Sequence, residues 1–170
     1  DLILVQYKRE PGTERALDLA IKTCGALVAQ ARDAPSPENQ ALEAYVLDLL
    51  ASWVTRSAAK DKAVRLRATQ MLGMLLASLP DDYDGIDDAT FEDMERCVML
   101  RLTDKIPAVR VEAVKAAERL QDPSDKHDPF TLALLKAAKF DPSKHVRRAA
   151  VRTVCVAPHT LPELCASVRD

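Results

Sequence analysis

The sequence predicts an all-α fold of stacked antiparallel helix pairs with no sheet. Its 170 residues contain only 4 Gly and 4% aromatic residues, whereas Ala, Leu, Val and charged residues are abundant. This composition is typical of closely packed helices rather than of a turn-rich sheet protein. Apolar residues recur at every third and fourth position along most of the chain, which indicates amphipathic helices.

A Val-Arg dipeptide stands near the start of three successive helical patterns. Its arginines, Arg65, Arg110 and Arg147, are spaced by roughly 40 residues. Asp104 and Asp141 stand five residues before the second and third valines. A period of this length, carried by helical pairs, indicates a HEAT-type α-solenoid of about four pairs. Such arrays usually bind along an extended surface and seldom catalyse reactions.

Four helices are predicted in the first 102 residues. A threonine caps the first, a Ser-Pro pair begins the second, a basic corner precedes the third and an acidic insert precedes the fourth. The predicted spans are 13–31, 37–55, 61–79 and 89–102, after a helix tail at residues 2–9.

Four more helices are predicted after residue 102. Asp104, Pro129 and Asp141 begin three of them, and Thr160 with Pro162 begins the last. The first three spans are 105–120, 129–139 and 143–156. We expect residues 1–170 to be a single HEAT-repeat segment of a longer solenoid, because neither end shows a polar capping repeat. The predicted core residues on the second helices of the pairs are Val64, Ala68, Leu72, Val109, Ala113, Val114, Val146, Ala150 and Val154.

No catalytic residue, cofactor site or metal site is predicted. The sequence lacks the motifs of hydrolases, metalloproteases and nucleotide-binding loops. Its four cysteines form no CxxC pair, so free thiols in a reducing compartment are expected. The acidic insert at 80–88 fails as a calcium loop, since Pro80 and Phe91 would occupy the first and last ligand positions. Asp88 is predicted to cap the next helix instead. No apolar run approaches the roughly 20 residues that span a bilayer.

The recurring arginines suggest a structural Asp–Arg ladder, in which each arginine pairs with a loop aspartate of the same or an adjacent repeat. The residues assigned to this ladder are Asp61, Arg65, Asp104, Arg110, Asp141 and Arg147.

Further cations cluster at the starts of the second helices. At the start of such a helix, the free N–H groups, the helix dipole and the cations all favour binding of a phosphate. Taken alone, a cluster of this kind is usually a solvated face. Recurrence on successive repeats favours a DNA-binding track. The residues assigned to it are Lys60, Lys62, Arg67, Lys105, Lys144, Arg148 and Arg152. Helical-wheel positions put Arg67 and Lys105 beside the core, so some members are expected to have intramolecular partners.

Six ordered motifs resemble the N-terminal HEAT repeats of the condensin G-subunit family (CAP-G). They lie at 59–70, 100–110, 118–123, 146–150, 160–162 and 169–170, so the resemblance is close from residue 59 onward. Before residue 59 it rests on helical layout and on residues 11–15. The basic residue that the family usually places before its Arg-Asp is missing from 164–168.

The resemblance implies a role in mitotic chromosome condensation. Members of the family bind the kleisin subunit along the solenoid and hold duplex DNA in a basic groove. ATP hydrolysis belongs to the SMC subunits, which would be indirect partners, so this chain needs no cofactor. The expected location is the nucleus and the chromosome, and the cytoplasm outside mitosis. No membrane contact is expected.

A protein-only HEAT scaffold is the competing prediction. Transport factors and phosphatase adaptors of this kind bind an extended peptide. The net charge of −2 favours this alternative, because dedicated DNA-binding domains are often strongly basic.

Overall fold

The computed structural model describes residues 3–167, and every regular element in that range is helical. No strand occurs among these residues, so the predicted all-α fold class is confirmed. The eight α-helices of the described range are α1 Pro11–Asp33, α2 Pro37–Ser57, α3 Lys62–Ser78, α4 Asp88–Arg101, α5 Pro107–Ala116, α6 Pro129–Phe140, α7 Lys144–Thr153 and α8 Leu161–Ser167. A 3₁₀ turn, Ala117–Leu120, extends α5.

Local sequence signals explain where the helices begin. Proline occupies the first turn of α1, α2, α5 and α6, where its missing N–H costs no hydrogen bond. Ser36 caps α2 by accepting the N–H of Asn39 at 3.1 Å. Asp61 caps α3, and Asp128 caps α6. Each such cap stabilises its helix by about 1 kcal/mol.

The chain divides into two compact units, Asp1–Cys97 and Val98–Asp170, called unit 1 and unit 2 below. In unit 1, α1, α2 and α3 pack against one another around Leu17, Leu50 and Leu72. In unit 2, α7 packs on α5 and α6, and α8 packs on α6. That residues 1–170 form a single HEAT-repeat segment stays a prediction.

Of the predicted core residues, all but Val64 are buried. Val64 is half-buried in the first turn of α3. The small residues of the composition serve close helix packing. At Gly25 of α1, an added Cβ would lie only 2.9 Å from Ser78 Oγ at the end of α3.

Three local predictions are wrong. Thr13 does not cap α1, because the helix already begins at Pro11, with Glu10 as its N-cap residue. Residues 3–9 of the predicted helix tail are not helical; a turn at 3–5 leads into a segment without regular structure. We call residues 3–10 the N-terminal strap. The carboxylate that caps α4 belongs to Asp87, which accepts the backbone N–H and the hydroxyl of Thr90, whereas Asp88 is the first helical residue. No helix within the described range is long and apolar enough to cross a membrane.

Candidate functional site

The three arginines of the Val-Arg repeats make the same hydrogen bond, which we call the corner bond. Each donates from Nη1 to the backbone carbonyl six residues earlier, in the turn between the helices of its pair. The donors, acceptors and distances are Arg65 to Ala59 at 2.9 Å, Arg110 to Asp104 at 2.8 Å, and Arg147 to Asp141 at 2.9 Å. Each acceptor carbonyl lies in the turn after the first helix of its pair, outside the regular helical hydrogen bonds, so the corner bond gives a turn carbonyl a partner in each pair. The sequence repeat reflects this bond, although the spacing alone did not identify the acceptor.

One carboxylate–arginine pair of the predicted ladder joins adjacent helical pairs. Arg110 on α5 donates from Nε and Nη2 to the two carboxylate oxygens of Asp141, at 2.7 and 2.8 Å, at the end of α6. Asp141 also accepts the backbone N–H of Ser143 at 2.8 Å. The Arg110 side chain is 10% exposed and that of Asp141 is 8% exposed. This two-pronged geometry is the strong form of an arginine–carboxylate pair.

The electrostatics of Asp141 follow from these bonds. Burial is the largest single influence and raises its pKa. The hydrogen bonds from Arg110 and the Ser143 N–H, with the nearby charges of Arg110 and Arg147, lower the pKa below its ordinary value overall. The pKa of Arg110 is raised, chiefly by its hydrogen bond to Asp141. Both groups are therefore charged at neutral pH.

This depressed pKa predicts an acid sensitivity of unit 2. A carboxylate whose folded pKa lies below its unfolded value contributes full stability above about pH 5 and loses it as the pH falls below about 4. We expect hydrogen-exchange protection of α5–α7 to be constant from about pH 7 to about pH 5 and to fall below that range. In Asp141→Asn, the protection from hydrogen exchange should fall less steeply as the pH is lowered, because the side chain at position 141 no longer titrates. An identical pH profile in both proteins would contradict the assignment.

The other predicted ladder residues shape the corners between helices. Asp61 accepts the N–H groups of Ala63 and Val64. Asp104 accepts the N–H of Ile106 at 2.9 Å and pairs with Arg101 at 3.0 Å. Arg65 donates additionally to the carbonyl of Lys60, and Arg147 to that of Pro142. These hydrogen bonds are mostly with backbone groups, and they fix the turns.

The assignment of Arg67 to a DNA-binding track is wrong, because its side chain is fully buried. It donates to the strap carbonyls of Gln6 at 2.6 Å and Lys8 at 2.8 Å, and to the Gln70 amide oxygen at 2.7 Å. It also pairs with the carboxylate of Glu14 on α1. Burial raises the pKa of Glu14, but the hydrogen bonds from Arg67 and Gln70 lower it overall. Arg67 therefore joins the strap, α1 and α3 and cannot contact a phosphate.

The remaining cations of the predicted track are exposed. On unit 1, Lys60 lies in the corner before α3 and Lys62 is the first residue of α3. The Lys62 ammonium is 4.9 Å from the centroid of the Tyr7 ring. On unit 2, Lys105 lies in the corner before α5.

Three exposed cations form what we call the α7 basic stripe: Lys144, Arg148 and Arg152. Their four-residue spacing puts them on one face of α7, opposite buried Val146 and Ala150, at a rise of about 6 Å per step. Within the described part of the chain, none of the three side chains has a hydrogen bond or ion pair. The stripe begins at the first turn of α7, where cations oppose the helix dipole unless an anion is present. The arrangement can bind phosphates, although it carries no group for bond breaking.

Unit 2 also has an open cleft of about 600 Å³ between the end of α6 and α8. Lys139, Phe140 and Arg147 line it, and Phe140 is 74% exposed. Among the described residues, no group of three or more His, Cys, Asp or Glu side chains could hold a metal ion. Arg169 and Asp170, part of the sequence resemblance, lie outside the described residues.

Known proteins are similar to this chain in sequence. A family model described as Sister chromatid cohesion protein PDS5 protein matches residues 19–166. Condensin complex subunit 3 of Homo sapiens is 33% identical over 169 residues, which cover 99% of this chain and 16% of the relative. The same subunit of Saccharomyces cerevisiae is 31% identical over 121 residues, covering 65% of this chain and 11% of the relative. The chain thus spans less than a fifth of the length of these relatives.

A solved structure has the same fold. One chain of the crystal structure of the S. pombe condensin Cnd3-Cnd2 subcomplex is 26% identical, with a TM-score of 0.79. The similarity covers 99% of this chain and 20% of that chain. This similarity confirms the HEAT-type fold class that the sequence predicts.

Proposed function

Because the chain belongs to the family of condensin complex subunit 3, the condensin G subunits, and also matches the PDS5 family model over residues 19–166, we propose that it is a non-catalytic part of condensin. In this proposal it binds the kleisin subunit and the backbone of duplex DNA during mitotic chromosome condensation. It acts in the nucleus and on chromosomes, is cytoplasmic outside mitosis, and meets the SMC ATPase subunits indirectly. The PDS5 model describes cohesion proteins. The 33% identity to human condensin complex subunit 3, which extends over 99% of this chain, favours condensin.

Kleisin binding is supported by the solved structure that this chain resembles, which is a complex of two condensin subunits. That chain was crystallised as a subcomplex with Cnd2, and its similarity to this chain extends over nearly all of the present residues. This similarity is the observation that carries the proposal. A HEAT array suits the task because it presents an extended surface to a second chain.

DNA binding is supported by the α7 basic stripe. Its three cations have no competing intramolecular carboxylate within the described residues, so their charge is available to phosphates. Lysine and arginine contacts of this kind position a protein on the DNA backbone without reading bases. The interaction should therefore tolerate any sequence and weaken steeply with salt.

We expect Arg148→Glu with Arg152→Glu to weaken duplex binding by the full-length subunit in complex with its kleisin. Removing one phosphate contact lowers the log–log salt slope by roughly 0.9, so the slope should fall by about 1.8 when both arginines are replaced. The loss of affinity should be equal for duplexes of different sequence. Fluorescence titrations at several salt concentrations would measure both quantities.

A matched control separates a specific contact from a change in net charge. Lys126→Glu with Lys136→Glu alters the charge of unit 2 equally, at exposed positions that do not belong to the stripe. This control should leave the slope unchanged. Equal losses of affinity in the two double variants would show that the stripe is a solvated face without a specific DNA contact. No loss of affinity after charge reversal of Lys144 as well would show the same.

A protein-only scaffold remains the second candidate, and one observation favours it. The α6–α8 cleft combines the exposed phenyl ring of Phe140 with Arg147 and with Lys139, which pairs with Glu163 of α8. This lining suits a peptide that carries apolar side chains and an acidic group able to compete with Glu163. Salt-insensitive kleisin binding with no detectable duplex binding by the complex would support this function instead.

A further inference from the structure

We propose that unit 1 holds a binding site for a small aromatic molecule beneath the N-terminal strap. A partly open pocket of about 230 Å³ lies between the strap and the helices α1, α2 and α3. Ile3 and Leu4 of the strap form one of its walls. The residues of this pocket have no role in the DNA-binding and kleisin-binding functions proposed above.

The volume of the pocket limits the size of the ligand. An apolar cavity of about 150 Å³ accommodates benzene. The larger pocket of unit 1 therefore has room for one ring with a short substituent, or for two fused rings. Pockets for drug-sized ligands are larger, at roughly 300–1,000 Å³. A compound of about eight to ten non-hydrogen atoms matches the volume.

The lining favours an aromatic ring over an aliphatic group. Cys24, Trp53 and Met71 line the pocket, and all three are buried. The indole of Trp53 can pack against the edge or the offset face of a second ring. The thioether sulfur of Met71 also attracts aromatic rings. Leu4 and Leu49 supply aliphatic contacts around the same ring.

The polar side of the pocket restricts the charge of the ligand. Ser52 and Arg56, which are one turn apart on α2, both line it. The Ser52 hydroxyl has no hydrogen-bond partner among residues 3–167, so it can bond a polar substituent of the ligand. The positive charge of Arg56 opposes a cation in the pocket. The ligand is therefore a neutral or anionic aromatic compound with a hydroxyl or similar group, such as a phenol.

Ligand binding and closure of the strap are coupled in this fold. Arg67 holds the strap by donating to the carbonyls of Gln6 and Lys8, and Leu4 is buried beneath it. A ligand that contacts the strap wall binds only while the strap is closed. It therefore stabilises the closed strap by mass action. Occupancy should be measurable as slower hydrogen exchange in the strap.

The first test adds p-cresol to the full-length subunit in complex with its kleisin and follows hydrogen exchange by mass spectrometry. Exchange in the strap should slow roughly threefold when the concentration of p-cresol is about twice its Kd. The expected Kd is on the order of 0.1–1 mM, because the ligand is so small.

Two compounds of matched size test the chemical class. Methylcyclohexanol keeps the hydroxyl but lacks the aromatic ring, so it should bind several times more weakly than p-cresol. Benzylamine keeps the ring but is a cation, so it should leave exchange in the strap unchanged. The proposal would be overturned by an absence of any effect of p-cresol, or by equal binding of either matched compound.

Two substitutions on α1 locate the site. Ala20 lines the pocket, so Ala20→Leu fills part of it and should weaken binding of p-cresol by about tenfold or more. Ala16→Leu adds the same group at an exposed position one turn earlier and should leave binding unchanged. Leucine is a good helix former, so α1 should persist in both variants. Equal affinities of the two variants for p-cresol would show that the compound binds elsewhere.

A third substitution tests the polar contact. Ser52→Ala should weaken binding of p-cresol by about two- to tenfold, the range for one neutral hydrogen bond. Toluene, which is p-cresol without its hydroxyl, should bind the wild-type protein and Ser52→Ala equally. If toluene lost as much affinity as p-cresol, or if p-cresol lost none, Ser52 would not contact the ligand and this part of the proposal would be refuted.

Discussion

Arg67→Ala is expected to lower the free energy of unfolding of unit 1 by about 3–5 kcal/mol, the range for breaking a buried ion pair. The substitution removes the arginine that donates to the strap carbonyls of Gln6 and Lys8. It also removes the arginine partner of the Glu14 carboxylate, which keeps its hydrogen bond from Gln70. Trp53, the one tryptophan in the chain, is buried in unit 1, so its fluorescence during urea unfolding measures this effect directly.

Two further variants show which property of Arg67 causes the loss of stability. Arg67→Lys keeps a charge but not the planar group that reaches several acceptors, so it should have an intermediate effect. Arg15→Ala removes an exposed arginine from α1 and should change the free energy by no more than about 0.5 kcal/mol. If Arg67→Ala were as stable as Arg15→Ala, the buried arginine would not hold the strap.

Asp141→Ala is expected to cost unit 2 roughly 3 kcal/mol. The substitution leaves the guanidinium of Arg110 buried without its carboxylate and removes the acceptor of the Ser143 N–H. Hydrogen exchange of the α5, α6 and α7 amides gives the local free energy of opening, because unit 2 contains no tryptophan.

A double-mutant cycle with Arg110→Ala isolates the pair. We expect a coupling energy of about 1–3 kcal/mol, since the two groups touch. Glu118→Ala, which removes an exposed carboxylate after α5, is the control and should leave exchange unchanged. Additive effects of Asp141→Ala and Arg110→Ala would show that the pair contributes no specific stability.

The helices and the α7 basic stripe were predictable because they depend on local periodicity. In α7, Val146 and Ala150 fall on one face and Arg148 and Arg152 on the other. A helical wheel of this short helix therefore separates buried from exposed positions. The start of α2 was similarly readable, since Ser36 and Pro37 act within a few residues of themselves.

Arg67 could not be assigned correctly from local pattern. Its carboxylate partner, Glu14, is 53 residues earlier, and its other acceptors include backbone carbonyls of Gln6 and Lys8. The strap that carries those carbonyls has no periodicity. The position of Arg67 beside the apolar stripe of α3 was visible in the sequence, but its complete burial depends on the strap folding back over it.

The corner bond has a consequence for how this sequence can change over time. Its acceptor is a main-chain oxygen, which every amino acid supplies. The corners that contain Ala59, Asp104 and Asp141 already differ in sequence while keeping the same bond. Substitutions at turn positions whose side chains form no hydrogen bond of their own should therefore accumulate at little cost provided the arginine remains. Divergence among repeats can then proceed in the turns, where new surface chemistry arises, without altering how the two helices of a pair meet.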